Sequence, residues 1–306
     1  MTKLNRSQFT LLALLEAEKN CLELSRRVLC ERTKLSAEIV SKTLKELDKT
    51  GLVQDGAITS KGLDALEPYR VRRAVILAAG FGARMIPITL NTPKPLVRVK
   101  GVRLIDTILD ALQRVGITDV TIVRGYLAEQ FDQLLYKYSF IRFAENPAYN
   151  ETNNISSMMC VRYMLQNAYV CEADLWLRNQ DLITKYQYDS NYLGTSVEIT
   201  DDWCFESKGG VITKISVGGR NCHLMRGISY WTERDGLKLA EHVKQVYEMP
   251  GGKERFWDQV PLEYFSKDYK VTIRECDFED VVEIDTYNEL KKLDSSYVIP
   301  SSMATR

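Results

Sequence analysis

Along the first third of the chain, apolar residues return every three or four positions, the spacing of one helix face. Phe9, Leu11, Leu12, Leu14 and Leu15 form the first such stripe, with Ser7 placed to cap it. A second short helix is expected over about 22–30. Ser36 caps a third over 37–49, with Ile39, Val40, Leu44 and Leu47 inward and Gly51 as its stop. Residues 52–59 read as two short strands around Asp55-Gly56, a strong hairpin signal, and 60–66 as a closing helix. Beyond residue 73 the pattern changes. Apolar runs at 74–78, 120–123, 141–144 and 168–171 alternate with helical patterns over 104–115, 127–137 and 155–165. That alternation predicts an α/β domain with a mainly parallel sheet covered by helices. A late strand is expected at 281–285. The chain thus divides into a helical domain over 1–69, an α/β domain over 70–295 entered through a linker at 68–73, and a frayed tail over 296–306.

Composition narrows the function. The chain has 306 residues, room for one main core and a small extra domain. Its 41 basic and 41 acidic residues cancel, so bulk charge names no polyanionic partner. No apolar run approaches membrane length, and the first residues lack a signal peptide's apolar core. Seven scattered cysteines without a Cys-x-x-Cys pair predict reduced thiols in a cytoplasmic protein. The only two histidines, His223 and His242, lack metal-ligand spacing, which argues against zinc or a histidine-activated nucleophile.

The chemistry concentrates behind the strand at 74–78. Leu77, Ala78, Ala79, Gly80, Gly82, Ala83 and Arg84 form a glycine loop, and Lys94 follows. Two glycines let backbone amides converge on phosphate oxygens, and Arg84 and Lys94 bring two cations. Met85 replaces the third glycine of a dinucleotide fingerprint, and no Gly-Lys-Ser/Thr is present. A nucleoside triphosphate fits best. Asp174 follows the strand at 168–171, where ligands of open α/β sheets bind. Glu283 and Asp285 share one face of the late strand. Carboxylates from two distant strands, with triphosphate oxygens, suit Mg²⁺.

Residues 77–96, including Pro87, Thr89, Thr92, Pro93, Lys94, Pro95 and Leu96, resemble the signature of nucleotidyltransferases that join a nucleoside triphosphate to a phosphorylated small molecule. Ala83 departs from it, since the family usually carries Ser or Thr there. Asn146–Ser157, Glu172-Ala-Asp174, Asp202-Trp203, Gly227–Trp231, Phe256-Trp-Asp258 and Glu283-Ile-Asp285 follow in order. Over about 73–293 this set resembles the bacterial CTP:phosphocholine cytidylyltransferases. The resemblance implies a Rossmann-like, GT-A-like nucleotidyltransferase fold making CDP-choline from CTP and phosphocholine. It implies that Leu77, Ala78, Ala79, Gly80, Gly82, Ala83, Gly125 and Tyr126 hold the nucleotide. Arg84 and Lys94 would act on its phosphates, and Asp174 and Asp285 would hold Mg²⁺. Asn154, Ser156, Trp203, Tyr230, Trp257, Asp258 and Glu283 would surround the acceptor.

A trimethylammonium is held by aromatic faces and carboxylates, a role for Trp203 and Trp257 with Tyr230 or Trp231. Ser156 and Ser157 stand near where those enzymes carry a bulkier aromatic, which keeps phosphoethanolamine and 2-aminoethylphosphonate open as acceptors; sugar 1-phosphates are the commoner acceptors of the wider family. Residues 1–69 resemble a winged helix-turn-helix domain. Lys42, Lys45 and Lys49 form a stripe on its third helix. However, its 11 basic and 10 acidic residues leave a net charge of only +1, and Glu46 and Asp48 dilute the stripe. A docking or regulatory role is therefore favoured over DNA binding. A regulator with a purely sensing nucleotidyltransferase-like domain is disfavoured by the intact Gly80, Gly82, Arg84, Lys94, Asp174 and Asp285.

Overall fold

A computed structural model describes residues 3–18 and 25–297. The chain divides into two compact units, one formed by 1–70 with 186–188, the other by 71–185 with 189 onward.

The first unit contains α1 (Arg6–Ala17), α2 (Arg26–Thr33), α3 (Ala37–Lys49), the hairpin β1 (Val53–Gln54) and β2 (Ala57–Ile58), and α4 (Ser60–Leu66). Asn5, rather than Ser7, caps α1. Its side chain accepts from the Gln8 amide while the Gln8 side chain accepts from the Asn5 amide, a reciprocal capping box. Residues 22–24 of the helix expected at 22–30 lie outside the described residues, and α2 runs on to Thr33. Ser36 caps α3 as expected, turning Val40, Thr43 and Leu47 inward, but Ile39 is 42% exposed. Asp55 (φ 49°) and Gly56 (φ 79°) are both left-handed, as a two-residue hairpin turn of this twist requires.

The core of this unit gathers Leu11, Leu12, Leu29, Val40, Leu47 and Leu66 around Tyr186, which arrives from far along the chain. The Gln187 amide donates to the Tyr69 carbonyl at 2.9 Å. The Tyr188 ring stacks on Tyr69 at 5.4 Å and meets Phe9 at 5.2 Å. Both tyrosine hydroxyls donate to the Leu4 carbonyl. Nor is 68–73 a loose linker. Glu67–Tyr69 is a 3-10 turn, Val71 is buried, and the Arg72 amide donates to the Asn167 carbonyl.

The second unit is built on β3 (Arg73–Ala78), the small hairpin β4 (Arg98–Val99) and β5 (Val102–Arg103), α5 (Leu104–Arg114), β6 (Val120–Arg124), β7 (Ile141–Glu145), α6 (Ile155–Val161) and β8 (Ala168–Glu172). There follow β9 (Leu175–Leu177), the long strands β10 (Asn191–Lys208) and β11 (Val211–Trp231), α7 (Glu233–Glu248), β12 (Thr272–Glu275), β13 (Val281–Glu283) and α8 (Tyr287–Leu293). The main sheet runs β10-β12-β11-β8-β3-β6-β7. Strands β8, β3, β6 and β7 are mutually parallel, and β11 joins β8 antiparallel. This is an α/β core around a mainly parallel central sheet, as expected.

Two apolar layers flank the sheet. One packs α5 on Ile76, Ile122, Tyr169 and Tyr230; the other packs α6 and α7 on Val75, Val123, Tyr192 and Trp231. The helix expected at 127–137 is instead a 3-10 stretch, Ala128–Tyr136, begun by Leu127 at φ 47°. α6 likewise ends early and continues as the 3-10 turn Arg162–Met164. A Cβ on Gly236 of α7 would sit 2.2 Å from the Leu165 carbonyl oxygen, so that helix can approach only because the residue is glycine. The start of the expected tail is packed, because the Tyr297 hydroxyl donates to the Arg98 carbonyl.

Candidate active site

A cleft of about 630 Å³ opens across the carboxyl ends of the parallel strands. β3 delivers Leu77 and Ala78 to it, and the glycine loop follows. Gly82 is left-handed at φ 69°, and a Cβ there would press on Lys94 Cβ and Thr89 Cγ2 at 3.2 Å. Close approach and handedness both demand glycine. A Cβ on Gly80, by contrast, would meet nothing within 4 Å. That open space beside the loop backbone is where a ligand can lie.

Lys94 sits on a 3-10 turn behind Pro93 and is almost fully buried. Its Nζ donates to Asp174 Oδ2 at 2.8 Å and to Asp285 Oδ1 at 2.7 Å. Arg84, largely exposed, reaches the same Asp285 oxygen at 2.8 Å. Burial pulls the Lys94 ammonium pKa down, but the two carboxylates outweigh it and the net displacement is upward. Lys94 is therefore a fixed cation at neutral pH.

Behind it lies an excess of negative charge. Oxygens of Glu172, Asp174 and Glu283 all come within 4.8 Å of one another, the one such acidic grouping among the described residues. Asp174 Oδ1 is buried and finds no hydrogen-bond partner. An all-oxygen set with an orphaned carboxylate atom fits a hard divalent cation. Desolvation, then repulsion from Asp174, Asp258 and Glu283, pushes Glu172 well above the carboxylate range. The same two effects raise Glu283 to about 8, and desolvation raises Asp258 to about 7.

These shifts fix a stability trend. A carboxyl whose folded pKa is raised keeps its proton where the unfolded chain has released it, so stability declines as pH climbs through that window. The window runs from the ordinary carboxylate values near 4 to about 8. The thermal midpoint of the ligand-free protein should therefore fall from pH 6 to pH 8.5, and a divalent cation or cationic ligand should narrow the fall. A midpoint that rises over this interval would show that the carboxyls are already ionised at pH 6.

Leu77, Ala78, Ala79, Gly80, Gly82, Arg84, Lys94, Asn154, Ser156, Asp174, Trp203, Asp258, Glu283 and Asp285, all expected at the site, line this one cleft. Five others do not. Tyr230 points into the opposite layer with Tyr169, its hydroxyl on Asn167 Oδ1. Strand alternation explains this, because its neighbours at odd numbers, Met225 and Gly227, face the cleft. Trp257 is buried between Trp231 and Tyr192, one layer behind the wall. Ala83 lies in a 3-10 turn beside the loop. Tyr126 is a strut, with its amide on the Ala79 carbonyl and its hydroxyl on the Thr89 carbonyl. Gly125 sits beneath Tyr149.

The Ser156 hydroxyl is already engaged, accepting from Asn146 and donating to the Asn153 carbonyl. Several cleft residues are given no site role by the sequence: Tyr149, Tyr192 and Met225, and also Asn146, Glu172 and Phe256, which it names only as parts of motifs. Glu172 carries a signal, since it ends β8 only two residues before Asp174. Tyr192 carries none; its hydroxyl donates to Asp258 Oδ1 at 2.9 Å. The segment bearing Phe256 and Asp258 is tied to the α6 approach, because the Trp257 amide donates to Asn154 Oδ1 and Asn153 Nδ2 to the Glu254 carbonyl.

The nucleotidyl transferase family model matches residues 73–191. A 2-aminoethylphosphonate cytidylyltransferase of Lancefieldella rimae is 34% identical over 229 residues, 74% of this chain and 93% of its own. A choline-phosphate cytidylyltransferase of Streptococcus pneumoniae is 32% identical over 72% of this chain and 96% of its own. The solved structure of the CTP:phosphocholine cytidylyltransferase from Streptococcus pneumoniae superposes with a TM-score of 0.69 at 31% identity, covering 74% of this chain and 99% of that one. The chain accordingly belongs to the nucleotidyl transferase family, as an enzyme close to the bacterial choline-phosphate and aminoethylphosphonate cytidylyltransferases.

Proposed function

We propose that the protein transfers the cytidylyl group of CTP to a small acceptor with a phosphate or phosphonate at one end and an ammonium at the other. The carrying observation is the lining of the cleft, to which Glu172, Asp202, Asp258 and Glu283 contribute together with Trp203 and Phe256, whose rings lie 5.6 Å apart. Four carboxylates and two aromatic rings form a receptor for an organic cation. An oxygen of the acceptor's anionic end attacks the α-phosphorus in line. The new P–O bond forms as the bond to the bridging oxygen breaks, and pyrophosphate leaves. The nucleophile is already an anion, so no general base is required. Arg84, Lys94 and the glycine-loop amides neutralise charge that builds on the α-phosphate. Asp174 with Asp285 would hold Mg²⁺, which supplies further charge neutralisation on the triphosphate when bound, and Glu172 and Glu283 remain for the acceptor's cation.

Phosphocholine is the acceptor expected from the sequence resemblance. Two features support a primary ammonium instead, and the similarity to a 2-aminoethylphosphonate cytidylyltransferase favours 2-aminoethylphosphonate among such acceptors. With Trp257 and Tyr230 behind the wall, Trp203 is the only indole facing the cleft among the described residues. Carboxylates outnumber aromatic faces, which suits a primary ammonium that can donate three hydrogen bonds. The test is pyrophosphate release with CTP, Mg²⁺ and each of phosphocholine, phosphoethanolamine and 2-aminoethylphosphonate. The expected result is the highest kcat/KM for 2-aminoethylphosphonate. A preference of tenfold or more for phosphocholine would restore the choline reading.

For the first unit, three helices, a hairpin and a fourth helix in that order support a winged helix-turn-helix arrangement. Its near-neutral charge supports a docking or regulatory role over DNA binding. No helix among the described residues is long and apolar enough to cross a membrane. The six described cysteines are free thiols, in keeping with a cytoplasmic setting.

A further inference from the structure

The order of strands gives the cleft a direction. Glu172 leaves β8, while Met225 and Gly227 belong to β11, all on one flank of β3. Asn146 and Tyr149 follow β7, on the other flank beyond β6. The glycine loop of β3 lies between. If the acceptor's cation rests among the carboxylates and the phosphates at the loop, the remaining part of the nucleotide extends toward β6 and β7. There the aromatic face lining the cleft is Tyr149.

Tyr149 is held where it is by a glycine. A Cβ built on Gly125 would fall 2.7 Å from both Cβ and Cγ of Tyr149. The contact is with the root of the side chain, so no rotation of the ring relieves it. Gly125 does not have a left-handed φ, so nothing in its own backbone requires glycine. What requires it is the tyrosine lying on it. Gly125 is in turn fixed to the nucleotide loop, because the next amide, of Tyr126, donates to the Ala79 carbonyl at 3.0 Å. Arg124, the other polar candidate of this loop, is committed elsewhere. It pairs with Asp132 and Glu145 and lies 4.0 Å over the Phe143 ring.

We infer that Tyr149 is the stacking platform for the nucleobase and that Gly125 is glycine in order to seat it. This rests on the nucleotidyltransferase reading but not on the identity of the acceptor. A ring face recognises a planar base at little entropic expense and without hydrogen-bond readout, so Tyr149 should govern nucleotide affinity more than the choice between CTP and UTP.

The test is direct titration of the full chain with CTP, UTP and ATP in Mg²⁺, without acceptor. Tyr149→Ala should raise Kd about tenfold or more for whichever nucleotide the unmodified protein binds best. Tyr149→Phe should restore it to within about twofold, since the ring face is retained. Gly125→Ala should weaken binding like Tyr149→Ala. Gly125→Ala placed on Tyr149→Gly should be no worse than Tyr149→Gly alone, because only loss of the Tyr149 Cβ together with the ring frees the space that the added methyl group needs. In turnover, the same variants should raise KM for the nucleotide while KM for the acceptor stays within about twofold. Kd for Tyr149→Ala within twofold of the unmodified protein, in a chain that keeps its thermal midpoint, overturns the inference. So does a Gly125→Ala penalty that persists undiminished on top of Tyr149→Gly. A protein that binds CTP but turns over none of the three acceptors would refute the acceptor proposal and leave this one standing.

Discussion

Lys94→Ala and Asp174→Ala should each lower turnover by on the order of 10²–10³ while the protein remains folded. The reason is preorganisation. Lys94 is almost fully buried and held by two carboxylates, so its charge is aimed before any substrate arrives. Losing one such group costs about 3–4 kcal/mol of barrier height in comparable sites. Stability is a separate matter. Removing one partner from a buried ion pair strands the other, at a cost of about 3–5 kcal/mol. The more discriminating variants are therefore Asp174→Asn, which keeps the shape, and Lys94→Arg, which keeps the charge but not the point geometry. Both should stay within a few degrees of the unmodified thermal midpoint and still lose most turnover. Near-normal turnover in any folded variant of either residue would remove that residue from the chemistry.

The second large effect concerns the first unit. A fragment of residues 1–70 should not fold on its own. A core in a unit this small supplies about 3–5 kcal/mol, and burying one large side chain contributes about 1.5–3 kcal/mol. The fragment lacks Tyr186, buried in that core, and Tyr188, stacked on Tyr69. Two such losses consume the whole margin. Circular dichroism should show little cooperative melting for 1–70. Supplying 186–188 through a short Gly/Ser connection should restore a cooperative transition. The reciprocal deletion of 1–70 should leave Tyr186 and Tyr188 uncovered, and changing both to Ser should improve the solubility of the truncated protein. A sharp melt for unassisted 1–70 would mean that the inserted tyrosines are dispensable.

This second expectation departs from the sequence reading, in which 1–69 ends at a linker and the catalytic domain stands alone. Helix periodicity and the Asp55-Gly56 turn are local signals, and they give α3, the hairpin and α4 closely. Tyr186–Tyr188 join that unit through contacts with residues far away in the chain, which no local pattern encodes. The same division runs through the active site. Gly80, Gly82, Arg84 and Lys94 are legible because the loop chemistry is written in consecutive residues. Asp174 and Asp285 are legible as strand-end carboxylates, but not that Lys94 bridges them. Trp257 fails because 256–258 is an irregular turn, where alternation has no purchase. Tyr230 fails differently: strand alternation with Gly227 places it on the far face, and residue type is a weaker guide than register there.

Tyr186–Tyr188 also change what counts as a module in the gene. The first folded unit is discontinuous: its final three residues are encoded inside the region for the catalytic unit. A recombination joint at residue 70 therefore moves an unfinished object. Grafting this unit onto another enzyme, or replacing it here, demands two exchanges made together, one at the start of the reading frame and one in the segment between Lys185 and Asp189. The polypeptide passes between the units at three peptide bonds rather than one, so a single proteolytic nick at residue 70 leaves the severed piece still clasping its own missing part.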